Sequence, residues 1–451
     1  MLIRFGVSNH LSVRDYQEVS LVASKLKDVE TGLIDLSVEK PDGGAVLHSS
    51  SRMRLVPVVA LYGANASGKS TVLNALDFFV KFVASSHAKG DADDGTPYHP
   101  FLLDDESRTH PSHYDIDIAL DGVRYHYGYS LDGRRVLSEW LYSYPLGALR
   151  QTRSVLLHRD IGNEEEFYFG KGLKGENKQI SRLTRANSLF LSAAAQNSHD
   201  QLTPIYKFFT NKIARRTVQQ GNSIQIAKQL ITYFSKDEER RISALRFLSA
   251  ADIGVSGIDF TSVPYDGKVK AILKDLGSLM GRHFEQGVPE LDMERPMVDL
   301  MHVGFEGKSY PIKMDAESAG TISLLQLLGP ALMRLSMGGV LVVDELNTTL
   351  HPLVTRELIR LFSDPKTNPG RAQLLFSTHD TNILAGRILR RDQIWFTEKD
   401  VAGSTHIYSM AEIKVRAGDN LEAGYLAGRF GAIPYFGTPD FCDGDSSMEV
   451  E

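Results

Sequence analysis

The chain has one cysteine in 451 residues, Cys442, near its end. A single thiol excludes an intramolecular disulfide framework and fits a reducing, cytoplasmic setting. No run of eighteen apolar residues is present, so no segment has the length to span a bilayer. The opening Met1-Leu2-Ile3-Arg4-Phe5-Gly6-Val7 lacks the apolar core and cleavage site of a signal peptide and reads as a first strand. The formal net charge is −6, so the chain has no global attraction for nucleic acid; any such contact needs a local patch. Low-complexity tracts and solenoid repeats are also missing. What remains is ordinary globular composition, 42% hydrophobic and 24% charged, in a chain too long for one simple core.

Against this background one stretch stands out. Gly63-Ala64-Asn65-Ala66-Ser67-Gly68-Lys69-Ser70-Thr71 fits G-x-x-x-x-G-K-[ST], the phosphate-cradling loop of nucleotide-binding proteins. Gly63 and Gly68 free the backbone to turn its N–H groups inward around phosphate, with Asn65 and Thr71 completing the loop. Lys69 reaches the β- and γ-phosphates of ATP, and the Ser70 hydroxyl is suited to Mg²⁺. Val56 to Tyr62 reads as a buried parallel strand before the loop. Val72, Leu73, Leu76, Phe79, Val80 and Val83 recur at helical spacing after it, so a helix N-terminus faces the phosphates.

Downstream, Val340 to Val343 is an apolar strand ending in Asp344-Glu345. Asp344 is placed to hold Mg²⁺, and Glu345 to polarise the attacking water. Gln373 to Phe376 is a second apolar strand, followed by Ser377-Thr378-His379-Asp380. His379 is the candidate for contact with the γ-phosphate; a helix cap through Ser377, Thr378 or Asp380 reads the same residues structurally.

The remaining chain falls into place around these motifs. Residues 1–200 are expected to hold the P-loop with an N-terminal hairpin, a polar excursion over 25–54, and a small antiparallel β-lobe. Tyr114 to Leu120 and Val123 to Ser130 flank an Asp121-Gly122 turn, and Val136 to Tyr144 and Glu166 to Phe169 extend that lobe. Residues 201–315 are expected as a mostly helical insertion. Its stretch 203–250 holds nine Lys/Arg against three acids, which offers a basic face for nucleic acid or a nuclease partner, or a merely solvated one. Residues 316–435 return to strands and helices, and 436–451 form an acidic tail.

The order of P-loop, Asp344-Glu345 and His379, split by a long insertion, resembles ABC-type ATPases of the RecF/SMC branch. Within that branch the chain is similar to the bacterial RloA/AbiL-like predicted ATPases. The resemblance is carried by Leu2-Ile3-Arg4-Phe5, Ser20-Leu21-Val22-Ala23, Leu61-Tyr62-Gly63, Phe190-Leu191-Ser192, Glu317-Ser318-Ala319-Gly320-Thr321 and Gly431-Ala432-Ile433-Pro434. It implies an α/β head that dimerises on ATP and Mg²⁺. Ser318 and Gly320, in a divergent signature motif, would bind the γ-phosphate held by the partner copy; a plain capped helix is the structural reading of the same residues. Asn347 to Pro352 would cross the dimer interface. Gln196 would sense Mg²⁺, with Asn197 or an upstream residue as alternatives. The resemblance also implies a role in antiviral or abortive-infection defence, controlling a separate toxic effector of nuclease type. The rival is RecF-like DNA clamping in repair. A self-contained nuclease of the OLD type is excluded, because only about seventy residues follow His379. The intact Lys69, Asp344 and Glu345 argue against a scaffold that does not hydrolyse.

Overall fold

The computed structural model describes residues 1–26, 32–36, 53–146, 152–218, 223–283, 293–416 and 418–434. Most of the excursion expected over 25–54, and the whole acidic tail over 436–451, lie outside these residues.

A six-stranded sheet carries the motifs. Its order is Ile213–Arg216, Val340–Val343, Gln373–Ser377, Val58–Gly63, Ile394–Lys399 and Thr405–Ser409. The first five run parallel and the last is antiparallel to its neighbour. Both faces of the P-loop strand are covered, which is why it reads as an unbroken apolar run. Val59 and Leu61 face a core shared with the P-loop helix, Lys69–Ser85. Val58, Ala60 and Tyr62 face the opposite core, shared with the long helix Ala319–Met337.

The second sheet is antiparallel and seven-stranded. It runs Phe167–Phe169, Ser154–Asp160, Val136–Pro145, Val123–Leu131, Ser112–Leu120, Leu2–Ser8 and Gln17–Ser20. The lobe is therefore larger than its sequence signal suggests. It absorbs the N-terminal hairpin, and it includes the strand Ser154–Asp160, whose polar flanks hide it. Its inner face clamps the P-loop helix: Phe79 stacks on Tyr129 at 5.3 Å and meets Phe5 edge-on at 6.1 Å. On the other face Asp115, Asp117 and His126 lie close enough to hold a metal. Arg4 already sits among them, 2.7 Å from Asp115 and 3.3 Å from Asp117, and balances the charge.

Helix is the larger part of the ordered structure in 201–315, and a small sheet accompanies it. Helices Ser223–Phe234, Glu238–Ala250 and Gly267–His283 are present. Strands Val255–Pro264, Glu294–Val303 and Ser309–Lys313 form a three-stranded sheet among them. The short strand Ile213–Arg216 leaves the segment altogether and joins the edge of the motif-bearing sheet. Four residues ending in two arginines carry no strand signal of their own; the pairing is supplied by Val340–Val343, far along the chain.

One buried side chain ties the two sheets together. The pairing of Leu2–Ser8 shifts register between Leu2 and Arg4. There the Gln373 amide accepts from Leu2 N at 2.7 Å and donates to Leu2 O at 2.8 Å, with Gln373 fully buried. Gln373→Leu keeps the volume but removes the partner of both backbone groups. A loss of about 2–4 kcal/mol is expected, read as a lower denaturant midpoint with unchanged slope.

Candidate functional site

The P-loop closes on the strands beside it. Gly68 sits at φ 111°, in the left-handed region, and a Cβ there would lie 2.1 Å from Thr405 Oγ1. Ser67 Oγ is 2.6 Å from Thr397 Oγ1, and Thr405 donates to Ser67 O at 3.1 Å. Ser12, from the N-terminal hairpin, donates to Thr71 at 2.9 Å. The loop is thus held open from three sides, with Asn65 exposed at its tip. Lys69 is buried, and its Nζ donates to Gly63 O and Ala64 O, both at 2.9 Å. Burial pushes its pKa down to about 8, against the pull of Glu345 and Asp344. A cation held only by carbonyls in a dry site is poised for a phosphate.

Asp344 stands one strand away from the P-loop strand, because Gln373–Ser377 lies between them. Ser377 bridges that gap. Its hydroxyl donates to Asp344 Oδ1 at 2.6 Å and accepts from Glu345 N at 2.7 Å. Ser70 Oγ donates to the same Oδ1 at 3.1 Å. The sequence reading considered Ser377 only as a helix cap; it is Asp380 that accepts from Asn382 N, at 2.9 Å.

Glu345 is exposed and takes a left-handed backbone, φ 54°, unusual for a non-glycine residue. The kink turns the chain directly after Asp344, and Thr348 donates to Glu345 Oε2 at 3.1 Å. His379 is exposed at the tip of the intervening strand. Partial burial and then the Lys69 cation lower its pKa, with Glu345 opposing. This places its ring in the field of both groups and favours the neutral form. Asn347 links the two segments, accepting from Thr378 Oγ1 at 2.9 Å and from His379 N at 3.4 Å. P-loop, Asp344-Glu345 and His379 therefore meet as the sequence order suggested.

One expected metal ligand does not join them. Gln196 is exposed at the end of helix Phe190–Gln196. That helix packs on the far end of the P-loop helix, where Ser192 donates to Val83 O at 2.6 Å. The helical rise puts Val83 about 20 Å from Lys69, so Gln196 is not placed as a Mg²⁺ ligand. Ser318 and Gly320 open the helix Ala319–Met337. Ser318 Oγ caps it by accepting from Thr321 N at 3.0 Å, and a Cβ on Gly320 would meet Thr349 O at 3.0 Å. Within one chain this is a capped helix lying against the loop after Glu345.

A residue not anticipated reaches Asp344 instead. Arg215 NH2 lies 3.2 Å from Asp344 Oδ2, and NH1 reaches Asn74. Half-buried members of the basic stretch to which Arg215 belongs make local contacts, while Lys207, Lys228, Lys236 and Arg246 are exposed. Arg216 donates to Tyr233 OH at 2.5 Å, Arg240 pairs with Asp237 at 2.7 Å, and Lys212 donates to Met337 O at 2.5 Å. Only composition was visible in the sequence; the strand Ile213–Arg216 decides that Arg215 faces the site.

A family model matches residues 58–385, well over half of the chain, from the P-loop strand through His379; it is described as "AAA domain, putative AbiEii toxin, Type IV TA system". The chain belongs to this family. Its P-loop falls inside the matched AAA domain. No curated protein matches the sequence. Among solved structures it is similar to the SMC head domain from Thermotoga maritima, with 13% identity, 92% of this chain and 99% of that one covered, and a TM-score of 0.37. It is also similar to an SmcHead bound to the C-winged helix domain of ScpA, with 11% identity, coverages of 90% and 97%, and a TM-score of 0.37. A third is an Smc head domain with an extended coiled coil bound to the C-terminal domain of ScpA derived from Pyrococcus furiosus, at 11% identity, coverages of 90% and 96%, and a TM-score of 0.32.

The donors of this family member's site fit MgATP. Ser70 Oγ and Asp344 Oδ1 are hard oxygens 3.1 Å apart beside the P-loop, the kind of pair Mg²⁺ takes. A cleft of about 1030 Å³ lies elsewhere, against the helix Pro352–Ser363, and holds no P-loop residue. Among those residues no helix is long and apolar enough to cross a membrane. Gly68→Ala combines a strained φ with a clash against Thr405. It should weaken ATP analogue binding by at least about tenfold, measured by equilibrium titration with circular dichroism confirming the fold.

Proposed function

We propose that the chain binds and hydrolyses MgATP, that two copies close on two nucleotides, and that this cycle regulates a separately encoded toxic effector of nuclease type in antiviral or abortive-infection defence. The observation that carries the catalytic part is the Ser70–Asp344–Ser377–Glu345 network beside Lys69. The family description, which names an abortive-infection toxin system, supports the biological part.

In this reading the loop N–H groups and Lys69 cradle the β- and γ-phosphates. Ser70 and Asp344 would hold the metal, which would supply charge compensation to those phosphates. Glu345 orients the water and accepts its proton, with Thr348 holding its carboxylate. His379 acts as a neutral hydrogen-bonding group toward the γ-phosphate. Ser377 keeps Asp344 turned toward Ser70, and Asn347 makes the loop after Glu345 move with His379. Ser318 and Gly320 serve the nucleotide of the other copy: a helix N-terminus is an anion site, and here it lies beside Thr349 on the interface loop.

Glu345→Gln should keep ATP binding, lower kcat roughly 10²–10⁴-fold, and accumulate a dimer on gel filtration with MgATP. Lys69→Ala should lose tight ATP binding. Wild-type turnover in the Gln variant would remove Glu345 from the role of base.

Ser318→Arg should leave ATP binding by the single chain intact and abolish dimerisation and turnover. Mixed with Lys69→Ala, it should regain part of the activity, since one composite site then holds both intact residues. A Ser318→Arg protein that dimerises and hydrolyses like wild type would refute action across the dimer.

A further inference from the structure

On the flank of the P-loop helix lies a second, strongly polar cleft of about 500 Å³. Lys81, Arg215, Arg216 and Arg334 line it, with Asp77 as the one carboxylate. Asp77 is already engaged, 2.7 Å from Lys81 and 3.8 Å from Arg215. Arg334 comes from the long helix Ala319–Met337 and is only 5% exposed. Its NH1 donates to Asn211 O at 2.6 Å, yet its Nε has no partner. The Nε atoms of Arg215 and Arg216 are likewise buried without an acceptor. The three arginines that carry these unmet donors all line this one cleft, and a buried donor without an acceptor demands an explanation. Positive charge is in surplus there, and burial depresses the Arg334 pKa accordingly, with Arg216 adding to the effect.

We propose that this cleft binds a small phosphate-bearing anion through Arg215, Arg216, Arg334 and Lys81, and that its occupation draws Arg215 away from Asp344. Phosphate oxygens match guanidinium N–H groups in geometry and charge. The depth of Arg334 selects a free or terminal phosphate over the diester backbone of a polynucleotide, which would lie across the mouth. The nucleotide held by the P-loop is a different occupant: the helical rise separates Lys81 from Lys69 by about 18 Å.

Coupling follows from Arg215, which lines the cleft while its NH2 holds Asp344 Oδ2 at 3.2 Å. An anion there competes with Asp344 for one guanidinium and releases a carboxylate oxygen toward Ser70. This second step rests on the reading of Asp344 as a metal ligand; the anion site itself does not.

The test uses the full chain carrying Lys69→Ala, which silences the P-loop. Inorganic phosphate and tripolyphosphate are titrated by calorimetry, beside an oligonucleotide without terminal phosphates. One saturable phosphate site per chain is expected, weakened at least tenfold by Arg216→Gln. Lys81→Ala, at a side chain 75% exposed and safe for folding, should weaken it several-fold. Asp77→Asn should tighten it, an effect of opposite sign that a purely structural role would not give. Absence of saturable binding overturns the site, as does binding that none of the three substitutions moves or that only the oligonucleotide shows. For the coupling, Mn²⁺ binding is followed by paramagnetic resonance with sulfate as the oxyanion, since sulfate chelates metal poorly. Mn²⁺ affinity should rise several-fold with sulfate; anion binding with unchanged Mn²⁺ affinity overturns the coupling while leaving the site.

Discussion

The Asp344 carboxylate is where the molecule's parts meet. One oxygen accepts from Ser70 of the P-loop helix and Ser377 of the intervening strand, and the other faces Arg215 of the edge strand. Three elements from distant parts of the chain are thus tied to one group. The arrangement depends on parallel register, Val343 beside Phe376 and Ser377 beside Leu61. A slip of one residue would turn Ser377 to the opposite face and break the bridge. The geometry of the site is therefore a property of the sheet, and only secondarily of the loops that decorate it.

The antiparallel lobe makes the same point from the other side. It grips the P-loop helix along its aromatic face through Phe79, and Gln373 ties its first strand to the strand that ends in Ser377. Ser12 of the lobe's hairpin, Thr397 and Thr405 then brace the loop itself. A phosphate cradle built this way is formed before ligand arrives, so less binding energy is spent on ordering it. The left-handed Glu345 is tolerated because Ser377 and Thr348 hold both its backbone and its carboxylate.

Local pattern made the P-loop, its flanking strand and helix, the Asp344-Glu345 strand end and the His379 strand end legible. Each depends on short-range chemistry: glycines where the backbone must turn, apolar runs where a strand is buried on both faces, helical periodicity where one face is buried. The strand Ile213–Arg216 was not legible, because its hydrogen bonds come from residues more than a hundred positions away. Its basic residues looked like an outward face, whereas the strand turns Arg215 onto Asp344 and Arg216 onto Tyr233. Gln196 failed for the complementary reason. Its apolar approach resembled a site segment, but the helix it ends packs on Ser86 and Val83, at the wrong end of the P-loop helix.

By itself, then, the sequence determined the class of chemistry: a P-loop fixes where a polyphosphate is held, and a carboxylate pair after an apolar strand fixes what can act on it. Those choices are encoded within a few residues, because backbone conformation and side-chain type suffice to specify them. Tertiary structure alone decided the company these groups keep: Ser377 between the Asp344 carboxylate and the Glu345 backbone N–H, Arg215 on the far oxygen, and Arg334 buried without a partner for its Nε. Such contacts join side chains through strand order and helix packing. Strand order is set by which strands pair across the whole sheet, a long-range property that no local pattern carries.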